Sequence, residues 1–149
     1  MAQGYSAEMV GVIDGSLVPE IKADGRVINA KLRTFQATFD LSLAAVKKAS
    51  GDTNVLFRLP RGYKPIMGVL LASATMGGTA TIAIGNASTP AKYRAAATFT
   101  TANVPTPFML SSAGDDAPLT DEETVIMTIA AADLPGSGIL QIWMLCSGR

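Results

Sequence analysis

The sequence predicts an all-β protein, a jelly-roll-like β-sandwich with an N-terminal arm or edge hairpin. Three observations carry this. Runs of alternating apolar and polar residues recur along the chain, turn chemistry separates them about every ten residues, and helix signals are scarce. The 149 residues suit one domain with a sizeable core. We place the sandwich at 26–149 and the arm at 1–25.

The arm alternates weakly, with Met9 and Gly11 against Val10 and Val12, and Pro19 bars it from a central strand. Asp14–Gly15 and Asp24–Gly25 are short hairpin signals. Between Val27 and Leu43 the apolar face changes parity. Ile28, Ala30 and Leu32 share one face, whereas Phe35, Ala37, Phe39, Leu41 and Leu43 share the other, so a bulge near Arg33–Thr34 is expected. "LAAVKKAS" from Leu43 can form one or two helical turns. "NVLFRLP" from Asn54 and "PIMGVLLAS" from Pro65 read as shorter strands, joined by a turn with Pro60 at its first central position.

"TATIAI" at 79–84 alternates strictly, with Ala80, Ile82 and Ile84 on one face. "IGNAST" and "SAGDDAP" are turns, and "TDEE" from Thr120 fits a helix capping box with Glu123 reaching back. "TVIMTIAA" at 124–131 is apolar on both faces, as in a strand inside a sandwich. "LPGSG" turns the chain into "GILQIWMLC", a central strand in which Trp143 is expected to anchor the core.

Composition narrows the function. Twelve Lys/Arg balance twelve Asp/Glu, although residues 1–64 carry +3 and the remainder −3. A nucleic-acid binder normally shows a basic excess, so no nucleic-acid partner is expected. Histidine is absent, which removes the commonest general base and metal ligand. The lone Cys146 lies in an apolar run and reads as a buried, inert thiol. "IMGVLLA" is too short to cross a membrane, and the first residues lack the pattern of a secretory leader. A soluble protein made in a cytoplasm is expected.

No motif points to catalysis. The acidic stretch with Asp115, Asp116, Asp121, Glu122 and Glu123 does not have EF-hand spacing and is interrupted by Pro118, so it reads as a solvated loop. Lys92, Tyr93 and Arg94 alternate base and ring, as a nucleic-acid grip would, but without a wider basic stripe. Their expected role is to tether a loop, Tyr93 packing and the cations reaching outward. "NAS" at Asn86 is a chance glycosylation match in a turn. Neither an enzyme nor a bound cofactor or metal is expected.

Three stretches resemble small structural proteins of tailed-phage virions: "TFDLS" followed by "LPRGYKPIMGVLLAS", then "TATIAIGNASTPAKYRAAATFTTANVPT", then "LTDEETVIMTIAAADLPGSGILQIWML". They cover about residues 35–146 and consist of small-residue patterns. The resemblance implies a capsid decoration (cement) protein, made in the host cytoplasm and carried on the capsid exterior. It also implies assembly as a trimer on the major capsid protein, with "STPAKYRAAATFTTA" as a thin covering loop. Tyr5, Met9, Val10, Val12, Leu17, Val18 and Ile21 of the arm are the candidate contacts to a neighbour. Arg61 and Tyr63 are further candidates. A neck, tail or fibre-attachment subunit is the alternative. From a different class, a carbohydrate-binding sandwich would need exposed aromatics in a row, with Tyr63 and Tyr93 the rings whose mutation tests it.

Overall fold

The computed structural model describes residues 31–109 and 117–148. The arm candidates Tyr5, Met9, Val10, Val12, Leu17, Val18 and Ile21 therefore lie outside the described residues. So do both "DG" signals, Asp115 and Asp116.

Eight antiparallel strands follow in order: β1 (Lys31–Asp40), β2 (Thr53–Leu59), β3 (Lys64–Ala72), β4 (Thr81–Gly85), β5 (Arg94–Thr98), β6 (Thr106–Phe108), β7 (Glu123–Ala130) and β8 (Ile139–Gly148). They form two four-stranded sheets, β1-β8-β3-β6 and β2-β7-β4-β5. Connections β1–β2, β3–β4, β5–β6 and β7–β8 cross between sheets at one end. At the other, β2–β3 and β6–β7 also cross, and β4–β5 turns within the second sheet. This is the strand order of a jelly roll, in which two Greek keys interlock.

Alternation decides what is buried. Leu140, Ile142, Met144 and Cys146 of β8 face Val125, Met127 and Ile129 of β7, with Leu70, Ile82 and Ile84 beside them, all fully buried. Burying such a side chain contributes about 1.5–3 kcal/mol. Trp143 falls on the opposite parity. It is only half-buried, on the outer face of the first sheet between Gln36 and Val69, so it is not the core anchor expected of it. The alternating run is apolar on both faces, and composition alone leaves its inner face undetermined.

The bulge expected near Arg33–Thr34 is absent. β1 pairs with β8 residue for residue from Lys31 to Asp40. Leu32 is simply on the outer face, 57% exposed, and Leu43 lies beyond the strand at 53%. Register shifts occur instead between Val55 and Phe57, Pro65 and Met67, and Ile82 and Ile84. In β2 the extra residue switches the face, so exposed Val55 is followed by inward Phe57. Phe57 then meets Phe35, whose ring meets Tyr63 edge-on, each pair 5.7 Å apart. These rings close the sandwich edge between β1 and β2.

Two helical expectations also fail. Residues 43–50 form turns, tied down by Asn54, whose side chain bonds both the amide and carbonyl of Lys47 at 3.1 and 2.7 Å. Residues 120–123 make no capping box, because Glu123 begins β7 and its carboxylate is committed elsewhere. The Pro60 turn is shifted by one residue: Tyr63 N–H donates to the Pro60 carbonyl, leaving Arg61 and Gly62 at the centre. Gly62 has φ +84, open to glycine without strain.

Candidate functional site

The densest polar cluster gathers on the first residue of β7. Glu123 accepts hydrogen bonds from Asn86 Nδ2 at 2.9 Å, from Lys92 Nζ and from the Tyr93 hydroxyl. All three donors lie in or beside the β4–β5 connection, residues 86–93. That connection is folded tightly: Asn86 Oδ1 receives the Thr89 amide and the Ser88 hydroxyl, and the Lys92 amide donates to the Thr89 carbonyl. Gly85 makes this possible, since a Cβ there would lie 2.1 Å from the Thr89 carbonyl oxygen. Tyr93 is buried, and Lys92 sits 5.1 Å from its ring centroid.

The electrostatics follow from these contacts. Burial works to raise the Glu123 pKa, but the donors Lys92, Tyr93 and Asn86 outweigh it and hold the group below the usual carboxylate range. Burial, reinforced by the Glu123 hydrogen bond and charge, pushes the Tyr93 phenol far up. Both shifts move the groups away from neutrality, whereas general acid–base work needs values near the working pH. The arrangement is a clasp: one carboxylate fastens a loop to the sheet. An open cleft of about 490 Å³ lies beside it, between Asn86–Ser88 and Leu119–Thr124.

Arg94 departs from its expected outward reach. Its guanidinium is turned onto the Ile82, Ala97 and Thr98 carbonyls, where the β4–β5 register shifts. Residues 94–98, expected as part of a covering loop, are strand β5 at the edge of the second sheet.

The other sequence candidates are dispersed. Arg61 is exposed in the β2–β3 turn. Tyr63 is half-buried, with its ring against Gly148, where a Cβ would come within 2.6 Å, so much of its surface is spent on internal packing. Asp121 and Glu122 are exposed, Glu122 pairing with Arg58 at 3.5 Å. Among the described residues no group of three or more Asp, Glu, Cys or His is arranged to hold a metal ion. Cys146 is fully buried and burial pushes its thiol up to about 12, in keeping with an inert thiol.

Sequence reasoning missed a second feature, the end where β1 passes into β2. Its four loops, 41–52, 73–80, 99–105 and 131–138, bond to one another or to the neighbouring strand ends. Leu41 N–H donates to the Gly138 carbonyl, Ser73 to Ile139, Met76 to Phe99, Asn103 to Ala72 and Leu134 to Lys48, all between 2.7 and 2.9 Å. Asp133 accepts from the Ser50 amide at 2.8 Å. Leu43, Val104 and Ile139 project here, 53, 47 and 37% exposed. No local motif marks such a surface, because it is assembled from four separate segments.

No protein-family model matches the sequence, and no curated protein does. Solved structures do match. The chain is similar to one in the capsid of Ralstonia phage GP4, at 20% identity and a TM-score of 0.57, covering 80% of this chain and 84% of that one. It is also similar to a chain in the cyanophage Pam1 capsid asymmetric unit, at 16% identity and a TM-score of 0.55, covering 81% and 86%. At these identities the likeness establishes a shared fold along most of both chains.

Proposed function

We propose that this protein is a structural subunit of a phage virion, a decoration (cement) protein that binds and stabilises the assembled major capsid shell from outside. The observation that carries the reading is that its fold is shared, over 80 and 81% of its length, with chains in the capsids of two phages. The internal commitment of its polar groups supports it as well. Glu123, Tyr93, Arg94, Asn54 and Asn86 hold loops in place, and in this reading the chain is not an enzyme. A subunit that binds only the assembled shell shifts the assembly equilibrium toward it by mass action. The arm, with Tyr5, Met9, Val10, Val12, Leu17, Val18 and Ile21, would reach a neighbour, and a trimer would multiply each contact.

The test is quantitative mass spectrometry of purified particles. A copy number on the scale of the shell supports decoration. A number on the scale of a single ring would move the chain to a neck or tail position, and its absence from particles would end the virion reading. The carbohydrate-binding alternative loses support from the rings themselves, since Tyr93 is buried and Tyr63 packs on Phe35 and Gly148.

A further inference from the structure

The two sheets present different outer faces. The second turns out mostly threonine and alanine, with Thr81 and Ala83 of β4 beside Ala130 and Thr128 of β7. In the first, the same alternation turns out Met67, Val69 and Leu71 of β3, Trp143 and Leu145 of β8, and Pro107 of β6. The register sets Val69 between Trp143 and Pro107, and Met67 beside Leu145. None of these six side chains is fully buried. Trp143, the only tryptophan of the chain, stands at the middle of the face. β1 contributes the neutral Thr34, Gln36 and Thr38. Among the described residues, the charges on this face stand at its two ends, Lys64 beside Ser147 and Asp40 beside Ile139. An antiparallel sheet that meets only water on one side alternates to polar residues there, and this one does not.

We infer that the outer face of the first sheet is the seat of the N-terminal arm, residues 1–25, donated by a neighbouring copy of the chain. The inference rests on the reading of the arm as a reach to a neighbour, and it names the surface that receives it. Three observations select this occupant. The chain enters the sheet at Lys31 and β1 runs from there to Asp40, so the 30 preceding residues leave over the end of the sheet, away from its own outer face. Extended, they span up to about 100 Å, against roughly 30 Å for a ten-residue strand, which is ample to reach the next copy. Their apolar residues, Met9, Val10, Val12, Leu17, Val18 and Ile21, suit a face centred on Trp143. Charge matches as well. Residues 1–25 carry Glu8, Asp14, Glu20 and Asp24 against Lys22, four acids less one base, a net −3. The end of the face where the arm departs is basic, with Lys31, Arg33 and Lys64 flanking residues 146–148 of β8. A second copy laid face to face would cover Trp143 without using that charge match. Donation from each copy to the next is a head-to-tail contact, the kind that closes into a ring such as a trimer.

The experiment takes the full chain free of capsids and combines sedimentation velocity over a range of concentrations with acrylamide quenching of Trp143. It compares wild type, Met9→Asp/Val12→Asp in the arm, Val69→Asp beside Trp143, and Val55→Asp, a control on the outer face of the second sheet. Circular dichroism verifies that each variant is folded. Wild type should associate with Trp143 shielded. The arm variant, which alters no residue of the sandwich, should associate about 30-fold or more weakly and open Trp143 to the quencher, and Val69→Asp should weaken association as much. Val55→Asp should stay within about 3-fold of wild type. Added salt should weaken association in part, as the charge match requires. If the arm variant matches wild type in both mass and quenching, the arm is not the occupant. If wild type is a monomer whose Trp143 is shielded until the arm is changed, the arm seats on its own sheet and donation is overturned. If association survives in the arm variant and is lost in Val69→Asp, a second copy covers the face directly and the inference falls. None of these outcomes bears on the particle count by mass spectrometry, so the virion reading stands or falls separately.

Discussion

At the end where β1 passes into β2, four loops hold one another through backbone amides, whereas at the opposite end a single carboxylate, Glu123, gathers the β4–β5 connection. The first arrangement spreads its stability over many bonds, each worth about 0.5–1.5 kcal/mol net. The second concentrates it. Both ends carry exposed charge, Lys47 and Asp133 beside Leu43 and Val104 at one, and Arg61, Lys92, Asp121 and Glu122 at the other. The contrast shows two ways of fixing loops by hydrogen bonding, and each predicts its own pattern of weakness.

The sharpest test sets one glycine from each end against the other. Gly85→Ala would drive a Cβ into the Thr89 carbonyl oxygen at 2.1 Å and the Pro90 carbonyl carbon at 2.6 Å, so backbone must move and the clasp opens with it. We expect about 3 kcal/mol of destabilisation in urea unfolding. Gly138→Ala meets the Ala74 Cβ at 3.3 Å and the Ser73 Oγ at 3.5 Å, both side-chain atoms, and its cost is mainly the strain of φ +113, about 1–2 kcal/mol. Equal losses, or the reverse order, would show that the clasped end is not the tighter one.

Removing the clasp itself comes next. Glu123→Ala leaves the buried Tyr93 hydroxyl without its acceptor and should cost about 2–3 kcal/mol, while Glu123→Gln, which keeps one accepting oxygen, should cost about 1. Amide hydrogen exchange should accelerate across residues 86–93 and stay unchanged at Leu41, Met76 and Leu134. At the other end, Asn54→Ala removes two bonds to Lys47 and is expected to cost about 2 kcal/mol. Exchange should then quicken within 41–52 but not at Met76 or Asn103, because those loops keep their own ties. Loosening of all four loops together would mean that they form one cooperative unit rather than a redundant set.

What the sequence revealed and what it hid divide along similar lines. The strands β4, β7 and β8 were legible because alternation is local: Ile82 and Ile84, or Val125, Met127 and Ile129, announce a face within a few residues. Which face of an evenly apolar strand turns inward depends on the neighbouring strands, and Trp143 went to the outside for that reason. The true bulges at Val55/Phe57, Pro65/Met67 and Ile82/Ile84 were equally hidden, since each corrects a mismatch with a partner remote in sequence. Glu123 misled most. Its spacing from Thr120 imitates a helix cap, but its donors come from residues at least 30 positions away.

The smallest expected effect is in the pH profile, and it too separates the two ends. Glu123 lies below its ordinary value of 4.5, so on acidification the unfolded chain takes up the proton first. Its contribution is complete above that value and is lost as pH falls through the lower, folded one. Asp40, at the end where β1 passes into β2, is also lowered, by the Ser42 hydroxyl and amide. It has the same sign, but water screens it, so little stability depends on it. On the alkaline side the signs reverse. Cys146 and Tyr93 are raised by burial from 9.0 and 10.0, so the fold favours their neutral forms, and that stability drains away as pH climbs toward the Cys146 value of about 12. Unfolding free energies measured from about pH 3 to about pH 11 should therefore show a plateau with two shoulders. Glu123→Gln should flatten the acid shoulder while sparing the decline above pH 9 that belongs to Cys146. If the acid shoulder survives in that variant, the carboxylates responsible are others, and Glu123 is not where the acid sensitivity of the fold resides.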